Sequence, residues 1–207
     1  MITQAKKQEI VNKHAKKFAA KDTNGPLDGV HYATDGSIVV TNRYIALIVS
    51  DAHSSQDSFT SHVVTGMQID GAYPSLSRVV PSKWESQIIW SGDQIKEVIQ
   101  AVKLAFETAK TEKPAVSYLN VNSHMTAFIN TDTKQRGLYF SGQIGKADKT
   151  FSEVHFNPEF LLNALNVYKD AGSQEVVLKL TGRSMSPVVL SDENGIDIII
   201  LPFRVAK

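Results

Sequence analysis

Three stretches of helical periodicity, each followed by short strand-like segments with no long crossover, constrain this chain most tightly. Strands joined by tight turns pair antiparallel, whereas parallel neighbours need connections of a dozen residues or more. Residues 3–20 are rich in Ala, Lys, Gln and Glu, and Val11, His14, Ala15, Phe18 and Ala19 share one side at helical spacing. The breaker Asn24-Gly25-Pro26 ends this stretch. Strand-like runs follow at 27–34, 37–41 and 44–50, and Asp35-Gly36 between the first two is a strong hairpin signal.

The second helix starts at Gly92-Asp93 and runs to Lys110, with Ile95, Val98, Ile99, Val102, Ala105, Phe106 and Ala109 as its buried stripe. The third opens with an Asn157 cap, Pro158 at the first helical position and Glu159 in the first turn, and Gly172 lies just past its end. Further strands are predicted at 63–69, 86–90, 115–122, 125–130, 138–144, 153–156, 175–181, 187–190 and 196–201. The polar, Ser-rich segment 51–62 reads as an exposed loop. The sum is an α+β fold of antiparallel sheets with helices on one face, in which a β-helix-β-hairpin theme recurs about three times without sequence identity between the copies. Pro74 and Pro81 bracket an ordered connector, 73–81, which is the expected boundary between a unit at 1–72 and one at 73–207.

Composition narrows the function classes. The 207 residues contain no cysteine, so disulfides, thiolate catalysis and cysteine-based metal sites are all excluded, and a reducing cytoplasm fits. The first eight residues lack the apolar core of a secretory signal. The longest apolar run, Ile198 to Leu201, is far too short to cross a membrane. Residues 1–21 carry six lysines against Glu9, a net +5, so an overall charge of +1 leaves −4 on the other 186 residues. Two readings fit: a surface suited to a polyanion, or an ordinary solvated helix face.

No catalytic constellation assembles. Gly142-Gln143-Ile144-Gly145-Lys146 lacks the spacing and the hydroxyl residue of a phosphate-cradling loop, and Gly182-Arg183-Ser184-Met185-Ser186 lacks the glycines of a nucleophile elbow. The six histidines (14, 31, 53, 62, 124 and 155) are scattered, and no pair on a helix has metal-ligand spacing. His53, with Asp51 and Asp57, is the one remote enzymatic option. The expectation is a protein that is no enzyme and uses no metal or cofactor.

Three motifs carry a resemblance. Ile69-Asp70-Gly71-Ala72-Tyr73-Pro74-Ser75-Leu76-Ser77-Arg78-Val79-Val80-Pro81 resembles the pattern IDGxFPDYxRVLP that leads into the last domain of bacterial DNA sliding clamps, the beta subunits of DNA polymerase III. Phe156-Asn157-Pro158-Glu159-Phe160-Leu161-Leu162-Asn163-Ala164-Leu165 is similar to that family's FNxxYLLDAL, and Ile199 to Val205 stands where it ends in VVMPMRL. The first half matches more loosely: Leu27 to Tyr32 resembles LNGMLFE, and Val40 to Ala46 resembles ATDGHRLA with one residue fewer and no glycine. The family's first domain, and about half of its second, have no counterpart.

The resemblance implies a DNA-clamp-like fold, complete at 73–207 and partial at 1–72. It also implies an apolar pocket for short peptides of replicative polymerases and clamp-loader-type proteins. Carried over, that pocket takes Leu27, Thr41, Ile45, Pro74, Arg78, Val79, Ile199 and Leu201, with Pro202, Phe203 and Arg204 as rim and Asn157 and Phe160 nearby. Double-stranded DNA would be held without base reading by lysines on the wet helix faces: Lys6, Lys13, Lys17, Lys96, Lys103 and Lys110. A family ring holds about twelve half-modules and this chain about three, so four head-to-tail copies would close a homo-oligomeric ring. The alternative is a monomeric adaptor or decoy that competes for clamp-binding peptides without holding DNA.

Overall fold

The computed structural model describes residues 1–21, 23, 25–76 and 78–204. In chain order the elements are α1 (Gln4–His14), β1 (Gly29–Tyr32), β2 (Ile38–Thr41), β3 (Ile45–Val49), β4 (Phe59–His62), β5 (Gln68–Ile69) and β6 (Ser86–Ser91). There follow α2 (Gly92–Ala109), β7 (Ser117–Val121), β8 (Thr126–Thr133), β9 (Leu138–Lys146) and β10 (Val154–Phe156). The chain ends with α3 (Pro158–Ala171), β11 (Glu175–Leu180), β12 (Val188–Asp192) and β13 (Ile196–Ile200). Every pairing among these strands is antiparallel, so the structure is the α+β architecture expected from the short connections.

Local chemistry sets the helix ends. Thr3 Oγ1 accepts from Lys6 N at α1. Ser91 and Gln94 form a reciprocal capping box at α2. At α3, Asn157 Oδ1 accepts from Glu159 N, and Gly172 takes the left-handed conformation at φ 69° that a residue with a Cβ rarely adopts. The first helix is shorter than its periodicity predicts. It tightens into a 3-10 turn at Ala15–Lys17, although Ala15, Phe18 and Ala19 remain buried on the expected side.

Among the described residues the strands form two sheets. One runs β5-β4-β1-β2-β3-β13-β12-β11-β6 and the other β10-β7-β8-β9. The large sheet is two-fold about the β3/β13 seam. The unit α1-β1-β2-β3 meets α3-β11-β12-β13, with Ile45 opposite Ile200 and Val49 opposite Ile196. In the C-terminal part the leading strands are exchanged: β6 pairs with β11, and β10 with β7. Trp90 of β6 is fully buried and its indole N–H donates to the Ile144 carbonyl of β9, tying the two sheets together.

Among the described residues no strand precedes α1, and β4 lies beside β1. Part of the segment predicted as an exposed loop is therefore a paired strand. Unpaired strand edges are costly to leave open, and the backbone of Phe59–His62 closes this one despite its polar side chains. Gly29 of β1 permits the contact, since a Cβ there would lie 2.7 Å from the Ser61 carbonyl oxygen. Ala52 and His53 are buried too, and His53 spends both ring nitrogens on local hydrogen bonds, with the Ser37 carbonyl and the Ser55 N–H. The strand predicted at 63–69 contracts to Gln68–Ile69 after a turn.

The core lies between sheet and helices. Ile45, Leu47, Val49, Ile196, Ile198 and Ile200 face Ile10, Val11 and Phe18 of the N-terminal segment and Leu161 and Leu165 of α3. α3 packs against both α2 and α1, and the last contact includes Asp170 Oδ2 at 2.9 Å from Lys13 Nζ and 2.8 Å from His14 Nε2. Lys7 is 5% exposed, and its Nζ donates to the Ser50 carbonyl at 2.7 Å. Alternate residues of β3, β12 and β13 point to the opposite face of the sheet, and that face positions the site.

Candidate functional site

On the face away from the helices, Ala46, Val189 and Ile199 form a small apolar patch, with Ile199 opposite both others in register. The connector crosses this patch and packs Leu76, Val79 and Trp84 on it. Tyr73 pins the start of that crossing. Its ring stacks on His31 with centroids 4.6 Å apart and planes 5° from parallel, and its hydroxyl accepts from Thr41 N at 2.9 Å. Burial raises the Tyr73 phenol pKa, so the hydroxyl stays neutral.

Connector and sheet do not close completely. Between them lies a cleft of about 210 Å³ lined by Thr41 and Arg43 to Ala46 on one side, Pro74 to Leu76 and Val79 on the other, and Ile199 and Leu201 at the base. Arg43 is its only charged lining among the described residues. The turn at its rim is held by side-chain hydrogen bonds. Asn42 Oδ1 accepts from Tyr44 N and Ile45 N, both at 3.0 Å, and Thr41 Oγ1 accepts from Arg43 N at 3.1 Å while donating to the Ile45 carbonyl at 2.8 Å. These bonds hold Arg43 at φ 79°, a left-handed conformation costly for a side-chain-bearing residue. Tyr44 is thereby presented at 63% exposure, and its carbonyl accepts from Leu201 N at 2.8 Å.

Of the thirteen residues carried over to a peptide pocket, Thr41, Ile45, Pro74, Val79, Ile199 and Leu201 line this cleft. Leu27 is buried in a 3-10 turn at Pro26–Asp28, and Arg78 is exposed on the connector, neither in the lining. Asn157 caps α3, and Phe160 lines a neighbouring depression. Pro202, Phe203 and Arg204 continue past β13, with Phe203 N bonded to the His155 carbonyl. Five lining residues escaped sequence reasoning: Arg43, Tyr44, Ala46, Ser75 and Leu76. Their signal was proximity, since each lies within two residues of one that was selected.

The six candidate phosphate-binding lysines are all on helical segments, but not in equivalent settings. Lys96 and Lys103, seven residues apart, share one side of α2, and Lys110 caps its end. Lys6 pairs with Glu9 at 3.0 Å, Lys13 with Asp170, Lys96 with Asp93 at 3.4 Å and Lys110 with Glu107. Exposed pairs of this kind contribute little, so a phosphate can displace the carboxylates. Lys17, in the 3-10 turn, lines the depression that also holds Phe160.

Neither a family model nor a curated sequence matches the chain. Solved structures do. The DNA polymerase sliding clamp of Pseudomonas aeruginosa superposes with a TM-score of 0.80 at 16% identity, over 99% of this chain and 66% of that one. The beta subunit from the DNA polymerase of Streptococcus pyogenes gives 0.80 at 14%, over 99% and 65%, and the sliding clamp of Caulobacter crescentus 0.78 at 14%, over the same shares. The chain thus spans slightly under two thirds of the clamps it matches, and at such identities the likeness is one of fold. The chain has the fold of the bacterial DNA polymerase III beta sliding clamp, over the part of that clamp which it spans.

Proposed function

We infer that this chain is a clamp-like DNA replication accessory protein with no chemistry of its own. It seats short peptides of replicative polymerases and clamp-loader-type proteins in the cleft between connector and sheet. The observation that carries this reading is the cleft itself. It is almost wholly apolar, it holds no acid or histidine, and segments distant in sequence build it on a rigid seam. Such a groove suits Leu and Phe anchors rather than catalysis. No helix among the described residues is long and apolar enough to cross a membrane, in keeping with work in the cytoplasm beside DNA.

The reading has finer parts, for which the likeness of fold is the support. Residues 73–207 act as a complete clamp-like unit and 1–72 as a partial one. Lys6, Lys13, Lys17, Lys96, Lys103 and Lys110 hold duplex DNA through its phosphates. Copies associate head to tail into a ring. Among the described residues the large sheet ends on β5 and the small one on β9, and β9 carries the exposed Leu138 and Tyr139, so both edges are open to a neighbouring copy. The test is binding of a labelled peptide with Leu and Phe anchors, followed by fluorescence anisotropy. Binding lost in Leu201→Asp and Pro74→Asp supports the cleft, whereas no binding at high micromolar peptide refutes it. A strict monomer at micromolar concentration that is not retained on circular DNA refutes the ring.

A further inference from the structure

The cleft does not stop at its apolar walls. Arg43 and Tyr44 also border a second, larger depression of about 650 Å³ on the other side of their turn. The two concavities form one track over the Tyr44 ridge. The second has a different chemistry: Lys16, Lys17, Lys21 and Arg43 converge on it against a single acid, Glu159. Among the described residues none of these four cations is ion-paired, whereas Lys6, Lys13, Lys96 and Lys110 all are. Four cations without ion-pair partners around one concavity make a field that a carboxylate-rich segment would relieve.

Building on the peptide reading of the cleft, we propose that the peptide recognised here carries an acidic run beside its apolar anchors, and that this run is read by Lys16, Lys21 and Arg43, with Lys17, a candidate DNA contact, adding to their field. A nucleic-acid strand fits less well. The Phe106 ring in the wall is already covered by Lys110 Nζ at 5.8 Å, which removes a stacking platform for bases that a peptide does not need. A peptide can cross Tyr44 with its backbone, rest apolar atoms on Phe160 and Leu162, and turn carboxylates to the lysines. Specificity arises because a partner with apolar anchors alone, or with a basic flank, leaves the four cations unmatched or opposed.

The experiment uses the full chain and four fluorescein-labelled synthetic peptides: a core of two Leu and one Phe among Ser and Gly, the core with four Glu before it, with four Glu after it, and with four Lys in place of the preferred Glu run. At 50 mM salt one Glu-extended peptide is expected to bind about tenfold tighter than the core, with the gain shrinking toward twofold at 0.5 M salt. Lys16→Glu/Lys21→Glu, two exposed changes outside the cleft, should abolish that gain, leave core affinity unchanged and favour the Lys-extended peptide. Core binding with no preference for either Glu extension overturns this inference alone. No binding of the core overturns the cleft reading and this inference with it. Oligo-dT that binds, competes with the Glu-extended peptide and is lost in the double variant assigns the groove to nucleic acid and also overturns it.

Discussion

Tyr73→Phe isolates the contact that fixes the connector over the sheet. The substitution keeps the ring stacked on His31 and removes only the oxygen that accepts from Thr41 N at 2.9 Å. Thr41 is 3% exposed, so water does not readily replace that oxygen. A buried N–H left without an acceptor costs about 1–3 kcal/mol, more than the net worth of an ordinary hydrogen bond. For a chain of 207 residues each kcal/mol moves the melting temperature by roughly 2–4 °C, so the drop should fall at roughly 2–12 °C. Trp84, packed on the apolar patch beneath the connector, gives a second readout, because a loosened connector shifts its emission to the red. Thermal melts followed by circular dichroism, with Trp emission at 25 °C, check both. A variant whose melting temperature and Trp84 emission equal those of the parent refutes the claim that the Tyr73 hydroxyl anchors the connector.

Acidification should destabilise the fold. Burial lowers the His14 pKa, outweighing the pull of Asp170, and the nearby Lys17 and Lys13 lower it further. His14 Nδ1 has no hydrogen-bond partner, so a proton there would be an unpaired buried donor. The unfolded chain then binds more protons, and stability is lost as pH falls through the ordinary histidine range, at up to about 1.4 kcal/mol per pH unit for one group. Burial lowers His31 and His155 as well, so His14→Leu should reduce, not abolish, the change in urea midpoint between pH 7.5 and 5; an unchanged dependence counts against the assignment. Gly29→Val should strip β4 from β1, since even a Cβ would lie 2.5 Å from Thr60 Cγ2, and amide exchange of residues 59–62 should rise sharply while that of β11 to β13 stays slow. Asn157→Ala removes the α3 cap and should cost about 1 kcal/mol by denaturant titration.

The helices were readable because their signals are local. Asn157, Pro158 and Gly172 act within a few residues of themselves, and the apolar stripe of α2 records the face it buries whatever lies opposite. The Asp35-Gly36 turn was legible for the same reason: Gly36 takes φ 81° in the hairpin the dipeptide favours. β4 was not. Phe59-Thr60-Ser61-His62 lacks strand alternation, and it is a strand only because β1 offers an unpaired edge, a demand carried by backbone groups that every sequence shares. Nor does the sequence announce the burial of Lys7, whose ammonium is drawn inward by a carbonyl 43 residues away.

The site divides along the same line. Thr41, Ile45, Pro74, Val79, Ile199 and Leu201 were found through motif resemblance, which stores spatial proximity indirectly. Arg43, Tyr44, Ala46, Ser75 and Leu76 join them only because the β3/β13 seam and the Tyr73 anchor bring three separated segments to one face. By itself the sequence determined the helices, most of the strands and their antiparallel pairing, since periodicity, caps and turn residues act over short range. Which strand closes the sheet, which lysines are paired and which converge unpaired on the groove were decided by the tertiary structure, because burial, backbone satisfaction and charge proximity exist only once distant segments meet.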